Sequence, residues 1–229
     1  MDPVRAEGQR RMLADIAGEV SLTRAITGRA QLDPRVMDAM ARVPRDQFVP
    51  AEMRAAAFDN RPLPIGRGQT ISQPFIVALM TDLLAPGAQD RVLEVGTGSG
   101  YQAAVLAGLC ARVYSLERVA TLAAEAQQRL AALGCDNVEV RAGNGYLGWP
   151  GQAPFDRIIV TAAAPRVPPA LLDQLAPGGR LVIPLGEPWE VQHLRLFEKA
   201  ADGRVNARDV LDVAFVPLLD GAVDDAGEA

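Results

Sequence analysis

Glu94 and Glu117 stand out chemically because three glycines, Gly96, Gly98 and Gly100, follow the first of them at every second position. The text RVLEVGTGSGY reads as a strand, a tight loop and a helix start. Alternating glycines let a backbone come close to a ligand, and the N–H groups of a helix start can point at it. Glu117 lies 23 residues after Glu94, near the roughly 20-residue offset at which an acidic side chain grips ribose hydroxyls in a strand–helix–strand unit. A carboxylate accepts from both cis hydroxyls at once. The dinucleotide fingerprint needs glycine at position 101, where Tyr101 stands instead. Two acids without a phosphate-compensating cation beside the loop suit a nucleoside carrying a sulfonium rather than a phosphate. A Gly-rich turn of an ordinary α/β protein is the plainer alternative.

A second candidate is Ser72, in the run IGRGQTISQP. Pro74 suits the first turn of a helix, which puts Gln73 or Ser72 at its cap. The Ser72 hydroxyl and the neighbouring free N–H groups, at the positive end of a helix dipole, could receive an anionic substrate group. Equally, Ser72 could do no more than cap the helix.

Composition narrows the classes. The chain has 229 residues, 49% hydrophobic and 22% charged, enough for one large α/β domain with a real core. With 23 basic against 28 acidic residues and a net charge of −5, and no Lys/Arg cluster, no nucleic-acid partner is expected. No window approaches the roughly 18 apolar residues of a membrane span, and the N-terminal text lacks a signal-peptide core. The expectation is a cytoplasmic monomer with no membrane partner. Cys110 and Cys135 are too few for a disulfide framework and lack metal-ligand spacing, so both read as packing residues. His193 is the only histidine, which excludes His-rich metal sites. Its alternating surroundings, VQHLRLF, suggest a solvated strand face, not a catalytic base.

The elements that must hold these residues follow from pattern. Residues 5–43 read as helical and polar-faced, with Asp33 as an N-cap, Pro34 at the first helical position and Pro44 as the stop. Proline-punctuated text over 43–64 is irregular around one short helix, and an apolar helix follows over 75–84. Strands are expected at 91–95, 112–117, 137–142, 156–161 and 180–185, alternating with helices at 101–109, 119–133 and 168–175. Short apolar strands with helical crossovers give a doubly wound, mostly parallel sheet. Two longer alternating segments, 191–199 and 208–217, joined at Asp202-Gly203, add an antiparallel edge. Glu94, the glycine loop, Glu117, Gly143-Asn144 and Thr161 all fall at the carboxyl ends of strands, where such sheets bind ligands. The expected divisions are an N-terminal helical segment and loop (1–75), a core (76–220) and a frayed acidic tail (221–229).

The loop E-x-G-x-G-x-G resembles the S-adenosylmethionine (AdoMet) site of class I, Rossmann-like methyltransferases. Taken together, DNRPLPIGRGQTISQP, VLEVGTGSGYQAAVLA, VYSLERV, FDRIIVTAAAP, LAPGGRLVIPLG and FVPL resemble the protein-L-isoaspartate (D-aspartate) O-methyltransferase family, in order from about residue 42 to 218. That resemblance implies methyl transfer from AdoMet to the α-carboxylate of L-isoaspartyl residues in damaged proteins and peptides. It puts Ser72 in the substrate site as the active-site hydroxyl and Thr70 and Ile71 beside the cofactor. Glu94, Gly96, Thr97, Gly98 and Gly100 would surround the methionine part of AdoMet, and Glu117 its ribose. Pro64, Ile65 and Gly66 would belong to a loop covering the peptide. Gly143-Asn144-Gly145 departs from the family's G-D-G, whose aspartate would accept from the adenine amino group; the Asn144 side-chain oxygen could still accept there without a charge. Competing readings are a methyltransferase acting on another carboxylate or small molecule, a non-catalytic AdoMet-binding protein, and more remotely a nicotinamide-dependent oxidoreductase.

Overall fold

The computed structural model describes residues 3–187 and 190–221. Its first helix, α1 (Pro3–Thr27), ends where Gly28 turns left-handed, at φ +70°, and donates back to the Arg24 carbonyl at 3.0 Å. The helical stretch expected over 5–43 is therefore broken. The second helix, α2 (Pro34–Arg42), begins as the sequence anticipates: the Asp33 side chain accepts from the Arg35 N–H at 2.8 Å, and Pro34 opens the first turn. Two short 3₁₀ turns, Arg45–Gln47 and Ala51–Ala56, lead to a small antiparallel hairpin of β1 (Leu63–Gly66) and β2 (Gln69–Ile71). Next comes α3 (Pro74–Leu84), apolar and almost wholly buried.

From there strands and helices alternate: β3 (Arg91–Val95), α4 (Tyr101–Ala107), β4 (Arg112–Glu117), α5 (Ala120–Ala132), β5 (Val138–Ala142), β6 (Phe155–Val160), α6 (Pro169–Gln174), β7 (Leu175–Leu185), β8 (Gln192–Lys199) and β9 (Val205–Val213). They build a seven-stranded sheet in the order β5-β4-β3-β6-β7-β8-β9. Strands β3 to β7 run parallel; β8 and β9 are antiparallel. The chain leaves β3 toward β4 and β5, then returns to place β6 on the other side. The carboxyl ends of β3 and β6 thus flank the switch point, where a crevice opens.

Both faces of the central strands β3, β6 and β7 are buried, as short continuous apolar strands require, whereas the edge strand β9 is largely exposed. Val92, Ile159 and Val182 share a cluster with Met12 and Ile16 of α1, Met40 of α2 and Leu79 of α3. Their neighbours along each strand, Leu93, Ile158 and Leu181, point the other way into a cluster with Trp149, Phe155 and Leu171. The first three helices are thereby part of the same core as the sheet. Among the described residues no helix is long and apolar enough to cross a membrane.

Three elements differ from expectation. Strand β7 starts at Leu175, the last residue of the expected helix and ahead of the strand expected from 180, because Leu175 pairs with Phe155 before the register shifts ahead of Arg180. The hairpin β1–β2 was not anticipated; Gly66, Arg67 and Gly68 all take positive φ to close it. The strand expected over 208–217 starts earlier and ends at Val213. The Gln192 side chain bonds both the N–H and the carbonyl of Phe215, and residues 214–219 swing across the strand ends, where Ala163 N–H donates to Val216 and Leu218 N–H to Ala163. Of the tail expected to fray, residues 222–229 lie outside the described residues.

Leu93 has no exposed surface and sits on the central strand. Leu93→Ala is expected to destabilise the fold by about 2–5 kcal/mol through lost burial and a residual cavity, measured as a lower urea midpoint with an unchanged slope.

Candidate active site

At the switch point the glycine loop does what its composition permits. Gly96, Gly98 and Gly100 have φ of +100°, +53° and +90°, values that side-chain-bearing residues rarely adopt. A Cβ on Gly96 would overlap the Thr161 hydroxyl. That hydroxyl instead donates to the Gly96 carbonyl at 2.6 Å, locking the end of β3 against the end of β6. From the other side, the Leu116 carbonyl accepts from the Gly96 and Thr97 N–H groups. Gly100 then serves as the N-cap of α4.

The two glutamates have different environments. Glu117, at the tip of β4, accepts from the Gly98 N–H at 2.7 Å with one oxygen and from the Val119 N–H at 3.0 Å with the other. It still lines the cleft. Glu94, one position short of the end of β3, has no exposed surface and lies beneath the loop, outside the cleft lining. Ser115, its register partner on β4, donates to one Glu94 oxygen and bonds the Thr97 hydroxyl at 2.6 Å. The other Glu94 oxygen has no partner. Burial pushes the Glu94 carboxyl up to about 8, against the Ser115 hydrogen bond, which lowers it, and with the nearby Glu117 charge, which raises it.

Ser72 stands between β2 and α3. Gln73, not Ser72, occupies the N-cap of α3, and its side chain makes no cap bond. Asn60 serves that helix end from a distance, accepting from the Phe75 N–H at 3.0 Å. Ser72 is thus free of the plain capping role. Its carbonyl accepts from Arg45 Nη2 at 2.9 Å. Thr70, Ser72 and Thr161 line both the cleft at the glycine loop and a second, wider cavity of about 800 Å³. That cavity is walled by Phe75, Ile76 and residues 211–216, with Glu19, Glu190 and Asp212 among its polar groups.

Of the residues singled out from sequence, Thr70, Ile71, Ser72, Gly96, Thr97, Gly98, Glu117 and Gly143 line the cleft together. Glu94, Gly100 and Asn144 do not, nor do Pro64, Ile65 and Gly66 of the hairpin. Ile65 does reach the loop: its Cδ1 lies 3.4 Å from where a Gly98 Cβ would stand. The Asn144 side chain is engaged at both ends. Its side-chain oxygen caps the turn Gly145–Leu147 through the Tyr146 N–H at 2.9 Å, and its amide donates to Asp220 at 2.6 Å. Sequence reading missed Arg118, a cation in the cleft lining, and residues 216–219, which close one side of the cleft. It also missed Ser115 and Arg45. Only the neighbouring prolines of VPRDQFVP hinted that Arg45 is fixed in place. His193 is exposed as expected, with Nδ1 2.7 Å from Asp212 across the edge strands.

Glu94 gives the site a pH signature. An ordinary glutamate ionises near 4.5, whereas the folded protein holds this proton to about 8. The contribution to stability is therefore fully present below the lower value and is lost as pH rises through the upper one. Glu94→Gln is expected to flatten the fall of unfolding free energy between about pH 5 and 8, seen in urea titrations of variant and parent. An identical slope in the two proteins would mean that Glu94 ionises normally.

Residues 21–223 match the family described as Protein-L-isoaspartate(D-aspartate) O-methyltransferase (PCMT). Protein-L-isoaspartate O-methyltransferase 2 of Syntrophobacter fumaroxidans is 58% identical over 220 residues, covering 96% of this chain and 89% of that protein. A solved protein-L-isoaspartate O-methyltransferase superposes with a TM-score of 0.79 at 26% identity; the match covers 91% of this chain and 65% of that longer one. A Plasmodium falciparum structure described as a β-aspartate methyltransferase in complex with S-adenosyl-L-homocysteine gives a TM-score of 0.73 at 26% identity, covering 90% of this chain and 97% of the other. A cleft built from a left-handed glycine loop and Glu117, opening at Ser72 into a wider cavity, thus lies in a chain that belongs to the protein-L-isoaspartate (D-aspartate) O-methyltransferase family.

Proposed function

We propose that this chain transfers a methyl group from AdoMet to the α-carboxylate of an L-isoaspartyl residue in damaged proteins and peptides. The neighbouring backbone amide nitrogen then attacks the ester carbonyl and displaces methanol, closing spontaneously to a succinimide whose hydrolysis can give normal aspartate. Family membership makes the chain an AdoMet-dependent enzyme. The observation that carries the reading to particular residues is the meeting of the two cavities at Thr70, Ser72 and Thr161.

The residues present fit a nucleoside cofactor. Gly96 and Gly98 put left-handed backbone, without side chains, into the cleft lining, and Glu117 is held by two backbone N–H groups. Each of its oxygens keeps an acceptor site for a ribose hydroxyl. When bound, the cofactor supplies an electrophilic methyl whose carbon–sulfur bond breaks as the carboxylate oxygen–carbon bond forms, the electron pair going to sulfur. The chain's own residues have a modest task. A carboxylate is already ionised at neutral pH, so no general base is needed. His193 itself lines neither cavity, although its partner Asp212 lies in the wall of the wider one. Ser72 and the start of α3 orient the carboxylate, and a dry, aligned site favours a step in which opposite charges fade. Thr70 and Ile71 flank the cofactor side; Pro64, Ile65 and Gly66 form the flap over the peptide. Asn144 holds the loop after β5, and its side-chain oxygen keeps a second acceptor site for the adenine amino group. The excess of acids supports peptide, not nucleic-acid, substrates.

Labelled AdoMet with matched aspartyl and isoaspartyl peptides tests the reading: label should enter the isoaspartyl peptide alone. Equal labelling of both would refute it. Ser72→Ala should keep AdoMet binding and lower turnover at saturating isoaspartyl peptide; unchanged turnover removes Ser72 from the reaction. Glu117→Ala should weaken S-adenosylhomocysteine by about 1.5–3 kcal/mol, the scale of losing charge-assisted hydrogen bonds, by calorimetry.

A further inference from the structure

Among the described residues, Arg45 is the largest side chain with no exposed surface. A guanidinium stays ionised wherever it is placed, and one taken out of water normally has a carboxylate beside it. Here none pairs with it among the described residues. Its sequence neighbour Asp46 is engaged by Arg5. Arg45 Nε donates to the Ala57 carbonyl at 2.8 Å and Nη2 to the Ser72 carbonyl at 2.9 Å, while Nη1 has no hydrogen-bond partner. The guanidinium carbon lies 4.8 Å from the centroid of the Tyr101 ring. Tyr101 opens α4 directly after the glycine loop and lines the cleft. One unbalanced positive charge therefore joins the substrate-side loop to the cofactor-side helix. An apolar side chain would fill the same space without the cost of desolvating an ion, so packing alone is a poor account of this residue type.

The peptide unit between Ser72 and Gln73 shows what the charge does. It is trans, so its carbonyl and its N–H point to opposite sides. With the Ser72 oxygen drawn inward onto Arg45, the Gln73 N–H is turned outward, and Ser72 and Gln73 both line the wide cavity. Gln73 is the N-cap of α3, so its N–H lies outside the helical ladder. Donation to the carbonyl polarises the whole amide and strengthens the N–H as a donor. We propose that Arg45 is a positioning residue for methyl transfer: it holds the Ser72 carbonyl inward and so presents the Gln73 N–H and the Ser72 side chain to the isoaspartyl carboxylate. It acts through that peptide unit without touching the substrate. A direct Arg–carboxylate contact would hold the nucleophile too tightly; one peptide unit between them orients the anion and leaves it reactive.

The inference rests on the isoaspartyl reading of the same site, so Arg45→Lys and Arg45→Met are assayed beside the parent. Turnover at saturating isoaspartyl peptide should fall about tenfold in the lysine variant and about a hundredfold in the methionine variant, the scale of lost alignment. Lysine, which can still reach one carbonyl, thus restores part of the loss. Peptide KM and S-adenosylhomocysteine affinity should stay within about twofold of the parent. A residue that only supports the fold would move cofactor affinity and thermal midpoint together with activity, and that result overturns the proposal. So does a folded Arg45→Met enzyme whose turnover is within about threefold of the parent. A second measurement needs no variant: in the isotope-labelled parent complexed with S-adenosylhomocysteine, the Gln73 amide proton should shift downfield when isoaspartyl peptide is added. An unmoved Gln73 amide in an active parent removes the role of Arg45 alone. A parent inactive on isoaspartyl peptide removes the functional reading and this inference together.

Discussion

The contact between Gly96 and Thr161 is the constraint on which the site depends. Two parallel strands that part company at a switch point leave their carboxyl ends side by side, and here those ends are joined through a hydroxyl-to-carbonyl bond. The bond is possible only because residue 96 has no side chain. Once the loop is fixed there, its remaining course is determined from both flanks. Gly100 must pass close to Leu130, whose Cδ1 lies 3.2 Å from where a Cβ would stand, so α5 packs on the start of α4. Gly98 presents its N–H to Glu117. The carboxylate proposed to grip ribose is thus also part of what shapes the loop.

Glu94 and Glu117 illustrate how one residue type acquires two roles from a small difference in strand position. Glu117 ends its strand, so loop amides bond its carboxylate and its edge faces the cleft. Glu94 stops one residue earlier, in register with Ser115, and the sheet closes over it. Burial without a cation favours the neutral acid, and a protonated carboxyl can donate as well as accept. The Glu94–Ser115–Thr97 chain then becomes an ordinary buried polar network, satisfied at all but one oxygen and linked at Thr97 to the cleft floor.

Much of this was legible in the residues. The strands β3, β4 and β6 and helices α4 and α5 came out within a residue or two because each apolar run is bounded by turn chemistry. The chain's own logic put Glu117 and the glycines at the strand ends. What could not be read was set by contacts distant in sequence. The stretch Ala176-Pro177-Gly178-Gly179 carries turn residues and yet lies in β7, since Leu175 has Phe155 to pair with. The bonds of Asn144 to Tyr146 and to Asp220, the latter far along the chain, have no local signal either. The burial of Glu94 depends on the register of β4 against β3, which no local pattern specifies. Arg45 is the extreme case: nothing in a charged residue between prolines announces that it will have no exposed surface.

The charges closest to the proposed reaction act indirectly. On the cofactor side Glu117 is held by backbone, Glu94 is shielded beneath the loop, and Arg118 adds a cation to the lining. On the substrate side stand a helix start and, one peptide unit further back, the Arg45 guanidinium, with Glu19, Glu190 and Asp212 elsewhere in the cavity wall. A carboxylate attacking a sulfonium methyl loses charge at both partners as it proceeds, so any group that binds either charge strongly holds back the ground state more than it helps the transition state. Full counter-ions in direct contact would be the worst arrangement. Dipoles aligned by ions set back from the cleft provide direction with little grip, and an interior built this way favours alignment over charge neutralisation.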